Sequence, residues 1–160
     1  MTADITQYAG RAVDLNVLRG QTPAGDRLLS QTVGGPDAPG GELVTGVLKL
    51  AQRFQMLLLL EQGSMPYAPL MGCRFVTDAR RGAWRTGLDV QQSFYFALVD
   101  IKRQLRAMAL PADPDDEVLD EAEVVSVALA PADRAVVRYT LTTLAGTGRL
   151  FIAPLPTTTH

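Results

Sequence analysis

Two stretches of this sequence hold an apolar stripe at helical spacing, and together they limit what it can fold into. Within residues 42–61, Leu43, Val47, Leu50, Phe54, Leu57 and Leu58 recur at steps of three and four, which lines one face of a helix. Gly63 supplies a stop signal. Within residues 88–108, Val90, Phe94, Leu98, Ile101, Leu105 and Met108 repeat the pattern. Gln91, Gln92, Lys102, Arg103 and Arg106 lie mostly off that second stripe, and its three late cations suit the negative end of the helix dipole. The run Met56–Leu60 reads as a helix end buried on all sides, since a spanning helix needs about 20 apolar residues.

What covers the two stripes comes later in the sequence. "EVVSVALA" (123–130), "AVVRYTLTTL" (135–144) and "RLFIAPL" (149–155) are β-rich, with turns at Pro131-Ala132-Asp133 and Gly146-Thr147-Gly148, which predicts a hairpin meander. "PADPDDEVLDEAE" (111–123) reads as a solvated acidic connector, and it lacks the glycine and ligand spacing of a calcium loop. Residues 1–41 read as an arm with short strands at "AVDLNVL" (12–18) and "RLLSQTV" (27–33) and a Gly/Pro hinge at "GGPDAPGG" (34–41). Residues 64–87 show no period. The expected fold is α+β: two amphipathic helices on a small antiparallel C-terminal sheet, with an arm (1–41), a core (42–156) and a tail (157–160). The helices should pack on each other and on one sheet face, burying Leu50, Phe54, Leu57, Phe94, Leu98 and Ile101. The sparse apolar pattern of the arm predicts that it lies against other subunits.

Composition narrows the chemistry. A net charge of -2 gives no basic field for nucleic acid and no polybasic segment for an anionic membrane. "MTADITQYAG" has neither the basic start nor the apolar run of a secretory signal. Cys73 is the one cysteine, so no internal disulfide forms, and it reads as a small buried hydrophobe. The one histidine, His160, is the last residue, which removes zinc-type ligand clusters and His-dependent nucleophilic sites. Neither "GGPDAPGG" nor "GTGRL" has the ending or context of a phosphate loop.

What remains is a pair of carboxylates and two candidate interfaces. Glu61 follows the leucine run, and Asp78 stands in the next loop. As a glycosidase pair they need one raised pKa and a sugar-sized cleft. The alternative is a solvated Glu61 and an Asp78 paired with Arg74, Arg80 or Arg81. The loop bearing Arg74, Arg80, Arg81, Trp84 and Arg85 has the residue types of an interface hot spot, or else folds over its own core with Trp84 buried. The strands bearing Val137, Tyr139, Leu141, Leu150 and Ile152 lack blocking lysines. An edge among them could accept a strand from a neighbour, unless the protein's own arm covers it.

The order of these parts resembles the gene-25-like baseplate wedge and sheath-initiator proteins of contractile phage tails, with counterparts in type VI secretion. The residues that carry the resemblance are "VDLNVL", "GDRLL", "VLKLAQRFQMLLLLEQG", "MPYAPLMGCRF", "DVQQSFYFALVDIKRQL" and "VVSVALAPADRAVVRYTLTTL", with Gln52, Gly63 and Gly72 as matching single positions. The family's Glu-Pro-Arg signature after the second helix is absent, and "LDEAEVV" stands there, as in a divergent member. The resemblance implies a structural virion protein of the tail baseplate, made in the host cytoplasm. It implies no catalysis and no cofactor, and a sixfold assembly with sheath, tube, wedge and hub proteins. A peptidoglycan-cleaving enzyme using Glu61 as its acid is a second reading, and a head-to-tail connector or tail terminator a third.

Overall fold

The computed structural model describes residues 11, 12, 14, 15, 18–21, 27–29, 43–130 and 134–156. In sequence order the elements are β1 (Asp14–Leu15), β2 (Leu18–Gln21), β3 (Arg27–Leu29), β4 (Leu43–Val44), α1 (Gly46–Leu59), α2 (Phe75–Arg80), α3 (Gly87–Met108), β5 (Leu119–Ala130), β6 (Arg134–Thr143) and β7 (Gly148–Pro156). The fold is α+β. Strands β5, β6 and β7 form the antiparallel meander, and β3 and β2 extend it on the β7 side in the order β2-β3-β7-β6-β5. The Gly/Pro hinge, the turn at Pro131-Ala132-Asp133 and the tail with His160 lie outside the described residues.

The two stripes meet over this sheet. Leu50, Phe54, Leu57, Phe94, Leu98 and Ile101 are all buried, as their spacing predicts. Alternate residues of β6 (Ala135, Val137, Tyr139, Leu141) point into the same core, because side groups alternate across a strand. Tyr139 stacks on Phe54 at 4.9 Å between ring centroids and lies 5.5 Å from Phe94, which ties both helices to the middle strand. Burying two Phe rings this way stabilises the fold by roughly 1.5–3 kcal/mol each.

Each helix starts and stops for a local reason. Thr86 caps α3 in a reciprocal box: its hydroxyl accepts from the Asp89 N–H (3.2 Å), and the Asp89 carboxylate accepts from the Thr86 N–H (2.7 Å). Helix α1 starts at Gly46 rather than at residue 42, because Leu43 and Val44 pair with β1 instead. Gly46 has φ +62°, and a Cβ there would meet Asp116 Oδ2 at 2.9 Å, so only glycine fits. Helix α1 stops where Leu60 turns extended to pair with the returning segment: Cys73 N–H donates to the Leu60 carbonyl (2.9 Å). At Gly72 (φ +88°) a Cβ would lie 2.1 Å from that carbonyl oxygen. Gln104 of α3 fixes the crossing, donating to the Gly72 carbonyl (2.7 Å) and accepting from its N–H (2.8 Å). The Met/Pro/Tyr/Gly/Cys stretch is therefore a loop closed against the end of α1 and clamped by α3.

Three expectations change. Residues 75–80, read as irregular, form α2, whose buried Phe75 packs on Trp84 (4.5 Å) and edge-on to Phe94 (5.5 Å). The acidic connector is only partly a connector, since β5 begins at Leu119. The described part of the arm lies on its own core rather than away from it. β1 pairs with β4, and β3 runs parallel to β7 with Arg27 opposite Phe151 and Leu28 opposite Ile152. The physical reason is that β7 would otherwise leave a ladder of N–H and C=O groups open.

Candidate docking surfaces

The arm is also held by charge. Lys49 of α1 and Glu117 of the connector are both almost wholly buried and form an ion pair of 2.6 Å. Further polar contacts surround them: Lys49 Nζ donates to the Ala12 carbonyl (2.7 Å), Gly46 N–H donates to Glu117 Oε1 (3.2 Å), and Arg11 pairs with Asp116 and, at 3.5 Å, with Glu117. One buried carboxylate thus joins the arm, the start of α1 and the segment before β5. Burial of two charges is tolerable only with such company. The sequence alone suggests that these acids are solvated, because their partners lie far away along it.

The carboxylate pair is engaged in structural bonds. Glu61 Oε1 accepts from the Thr77 hydroxyl and Oε2 from Arg80, both at 2.7 Å. Asp78 accepts from the Ser93 hydroxyl (2.9 Å) rather than from an arginine, which joins α2 to α3. Cys73 is fully buried, and burial pushes its thiol up to about 11, so it has the chemistry of a packed hydrophobe. Among the described residues no group of His, Cys, Asp and Glu converges to hold a metal, and no helix is long and apolar enough to cross a membrane.

The arginine loop divides. Trp84 is half-buried against Phe75 and belongs to the aromatic packing of the core, and Arg80 is tied to Glu61. Arg74, Arg81 and Arg85 stand in solvent around it.

The strand residues need correction. Val137, Tyr139 and Leu141 are buried, and β6 is the middle strand of the meander, paired with β5 on one side and β7 on the other. Neither their side groups nor their backbone face outward to a partner. Ile152 is nearly buried and lies in the stretch of β7 that β3 covers, and Leu150 is half-buried. The open edge next to the meander is β5. It carries Asp120, Glu121 and Glu123 in its first half and a bulge between Val124 and Ser126, both features that discourage pairing.

Sequence reading misses the surface that stands out most. Helix α3 is apolar on both sides. Opposite its core face, Leu88, Tyr95, Phe96 and Val99 are exposed, Phe96 by 75%. Spacings of seven, eight and eleven residues from Leu88 place them on one stripe, roughly 16 Å long at about 1.5 Å per residue. Lys102, Arg103 and Arg106 continue the same side toward the C-terminus, so the face is apolar first and basic after. The signal is present in the sequence, in "SFYFALV", where apolar residues outnumber what one face can hold.

The protein matches no protein-family model and no curated protein.

Proposed function

We propose that the protein is a structural, non-catalytic subunit of a phage-like tail baseplate, of the wedge or sheath-initiator type, docking sheath, tube and wedge neighbours. The observation that carries the reading is the second apolar face of α3. Large apolar side chains exposed together on one helix face, here with Gln92 among them, fit a protein–protein contact, and aromatic residues beside arginine are the common composition of an interface centre. The resemblance of the sequence supplies the kind of assembly, and the order of strand, helix, closed loop, helix and meander is consistent with it. The structural bonds of Glu61 and Asp78 favour this reading over a cell-wall hydrolase.

The test is reconstitution. The purified protein is mixed with the sheath and tube subunits of the same particle and followed by size-exclusion chromatography. Co-elution is expected, with Phe96→Glu weakening it while leaving the melting temperature within a few degrees of wild type. Absence of association across salt and protein concentrations overturns the reading. Turnover of purified peptidoglycan by the wild type, lost in Glu61→Gln, replaces it with the hydrolase.

A further inference from the structure

Six of the twelve large apolar side chains exposed among the described residues gather around one pocket, of about 1030 Å³, between α1, α2 and the end of α3. Met56, Met65, Met108 and Leu110 belong to its lining and are exposed. Tyr67, wholly exposed, and Leu70, three-quarters exposed, stand in the loop between Met65 and Met71, two residues of the same lining. Apolar residues scattered singly over a surface need no explanation, but a group of this size does. At roughly 200 Å² for a large side chain in full solvent, the six expose about 800 Å², about the share that one partner brings to a standard interface.

The patch holds a hole and, beside it, a knob whose shape is already set. Successive turns close the loop: Ala68 N–H donates to the Met65 carbonyl (3.1 Å), and Met71 N–H donates to the Ala68 carbonyl (3.0 Å). Pro66 and Pro69 fix two of its φ angles, and the Gln104 clamp on Gly72 holds its end. A segment held this way loses little freedom on docking. Tyr67 fills none of its own pocket, since its whole surface is in solvent.

The charges of the lining choose the partner. Glu117 is taken by Lys49 and Arg80 by Glu61. Arg53 and Asp113 remain, and among the described residues neither has an ion-pair partner. A partner of one sign would match one of them and repel the other. A surface that carries both signs matches a copy of itself turned about a twofold axis, where each contact is made twice. A knob beside a hole has the same property.

We infer that two copies of this chain pair here about a twofold axis, with Tyr67 and Leu70 of each entering the pocket of the other and Arg53 of each facing Asp113 of the other. The volume is at the upper end of what ligand sites use, about 300–1,000 Å³, and has room for the two side chains. The inference uses no residue of the outer stripe of α3, so it goes beyond the baseplate reading and stands or falls separately from it.

Sedimentation equilibrium of the full-length protein over a range of concentrations is the test. A reversible monomer–dimer equilibrium is expected. Trp84 is the sole tryptophan and lines the pocket, so its emission should change with the same midpoint. Tyr67→Ser and Met56→Glu, at exposed positions, should each weaken the dimer about tenfold or more and leave the melting temperature of the dilute protein unchanged. Mixing these two variants should restore association in part. The Tyr67 knob of one then meets the open pocket of the other, a contact that neither variant offers a copy of itself. Arg53→Asp should also weaken the dimer, and adding Asp113→Arg should recover it. A protein that stays monomeric at every concentration overturns the proposal and leaves the pocket to another occupant. A dimer that Phe96→Glu dissociates and Tyr67→Ser does not overturns it too, since the stripe of α3 is then the contact. Growth past the dimer, or a mixture of the two variants no more associated than either alone, rules out the twofold exchange.

Discussion

Helix α1 buries Lys49, Gln52 and Gln55, whereas helix α3 leaves Leu88, Phe96 and Val99 in solvent. Each goes against the hydropathy of its own residues, in opposite directions. Position explains both. Helix α1 packs against the sheet, α2 and α3, and its first turns also meet the arm and the segment carrying Glu117, so Lys49 is interior although Met56 is exposed. Its polar residues are then used as anchors, and Lys49 reaches Ala12 on one element and Glu117 on another. Helix α3 has core on one side only, and its surplus of apolar residues has no cover among the described residues. A buried lysine is therefore an internal tie, and on the docking role proposed above an exposed phenylalanine is an external one.

The largest effects should separate the two sides of α3. Phe94→Ala should cost about 3–5 kcal/mol, because a fully buried ring leaves a cavity. Phe96→Ala, two residues on, should stay within about 0.5 kcal/mol in the isolated protein. Urea denaturation measures both. A cost for Phe96→Ala approaching that of Phe94→Ala would mean that the outer face is covered without a partner, and the comparison with α1 would fail.

A cut of similar size tests the anchor in α1. Lys49→Met leaves the buried Glu117 with only the longer Arg11 contact, 3.5 Å, and should cost about 3 kcal/mol. Adding Glu117→Gln should recover part of that loss, since the neutral amide still accepts from Gly46 N–H and no uncompensated charge remains. If the double variant is no better than the single, the charge is not what makes the lysine indispensable. Hydrogen exchange at β1 and β3 should rise in Lys49→Met, because the arm loses the ammonium that holds Ala12.

How much of this is legible in the sequence follows from the range of each interaction. The stripes of α1 and α3 are written at steps of three and four, and the meander in β-rich runs, so both helices and all three strands are readable. Helix α2 is not. Phe75 is its only buried residue, and the aromatic partners that hold it, Trp84 and Phe94, lie outside its six residues. The pairing of β3 with β7 rests on a three-residue strand more than a hundred positions away, and no local pattern encodes such a register. The same holds for Lys49 and Glu117, 68 residues apart. The burial of Val137, Tyr139 and Leu141 is within reach of sequence reasoning, since the second of three meander strands is paired on both sides. The exposed stripe of α3 is written in the sequence too, but assigning one helix face to the core leaves the remainder to be read as polar.

A smaller effect concerns how α3 begins. Thr86→Ala should cost about 1 kcal/mol through loss of the cap. The hydroxyl and N–H of Thr86 hold the Asp89 carboxyl below its usual value. A depressed pKa stabilises the fold above the ordinary value, about 3.9, and that contribution is lost as pH falls through the folded value. Asp89→Asn should thus be less stable than wild type at neutral pH, with the two denaturation midpoints converging as the solution is acidified. Midpoints that stay a constant distance apart would show that the charge of Asp89 plays no part.

The smallest effect sits at the centre of the core, where a polar group is buried without the partners that Lys49 has. The Tyr139 ring is packed between Phe54 and Phe151, at 4.9 and 5.9 Å, and its hydroxyl is buried with no hydrogen-bond partner among the described residues. Burial pushes the phenol well above its ordinary value, since the charged form would lie in an apolar interior. Tyr139→Phe keeps the ring and its stacking and deletes only the unpartnered oxygen. The variant should be as stable as wild type or more so, by up to about 1 kcal/mol at neutral pH. The sign of the pH dependence sharpens this. A raised pKa leaves stability intact below the unfolded value, about 10, and lets it fall as pH rises toward the folded one, because only the unfolded state releases its proton. The advantage of Tyr139→Phe should therefore widen above about pH 10, measured as the separation of urea midpoints. A Phe variant that is less stable by about 1 kcal/mol at neutral pH would mean that the hydroxyl does have a partner, such as a buried water. Tyr139 would then be an anchor of the same kind as Lys49.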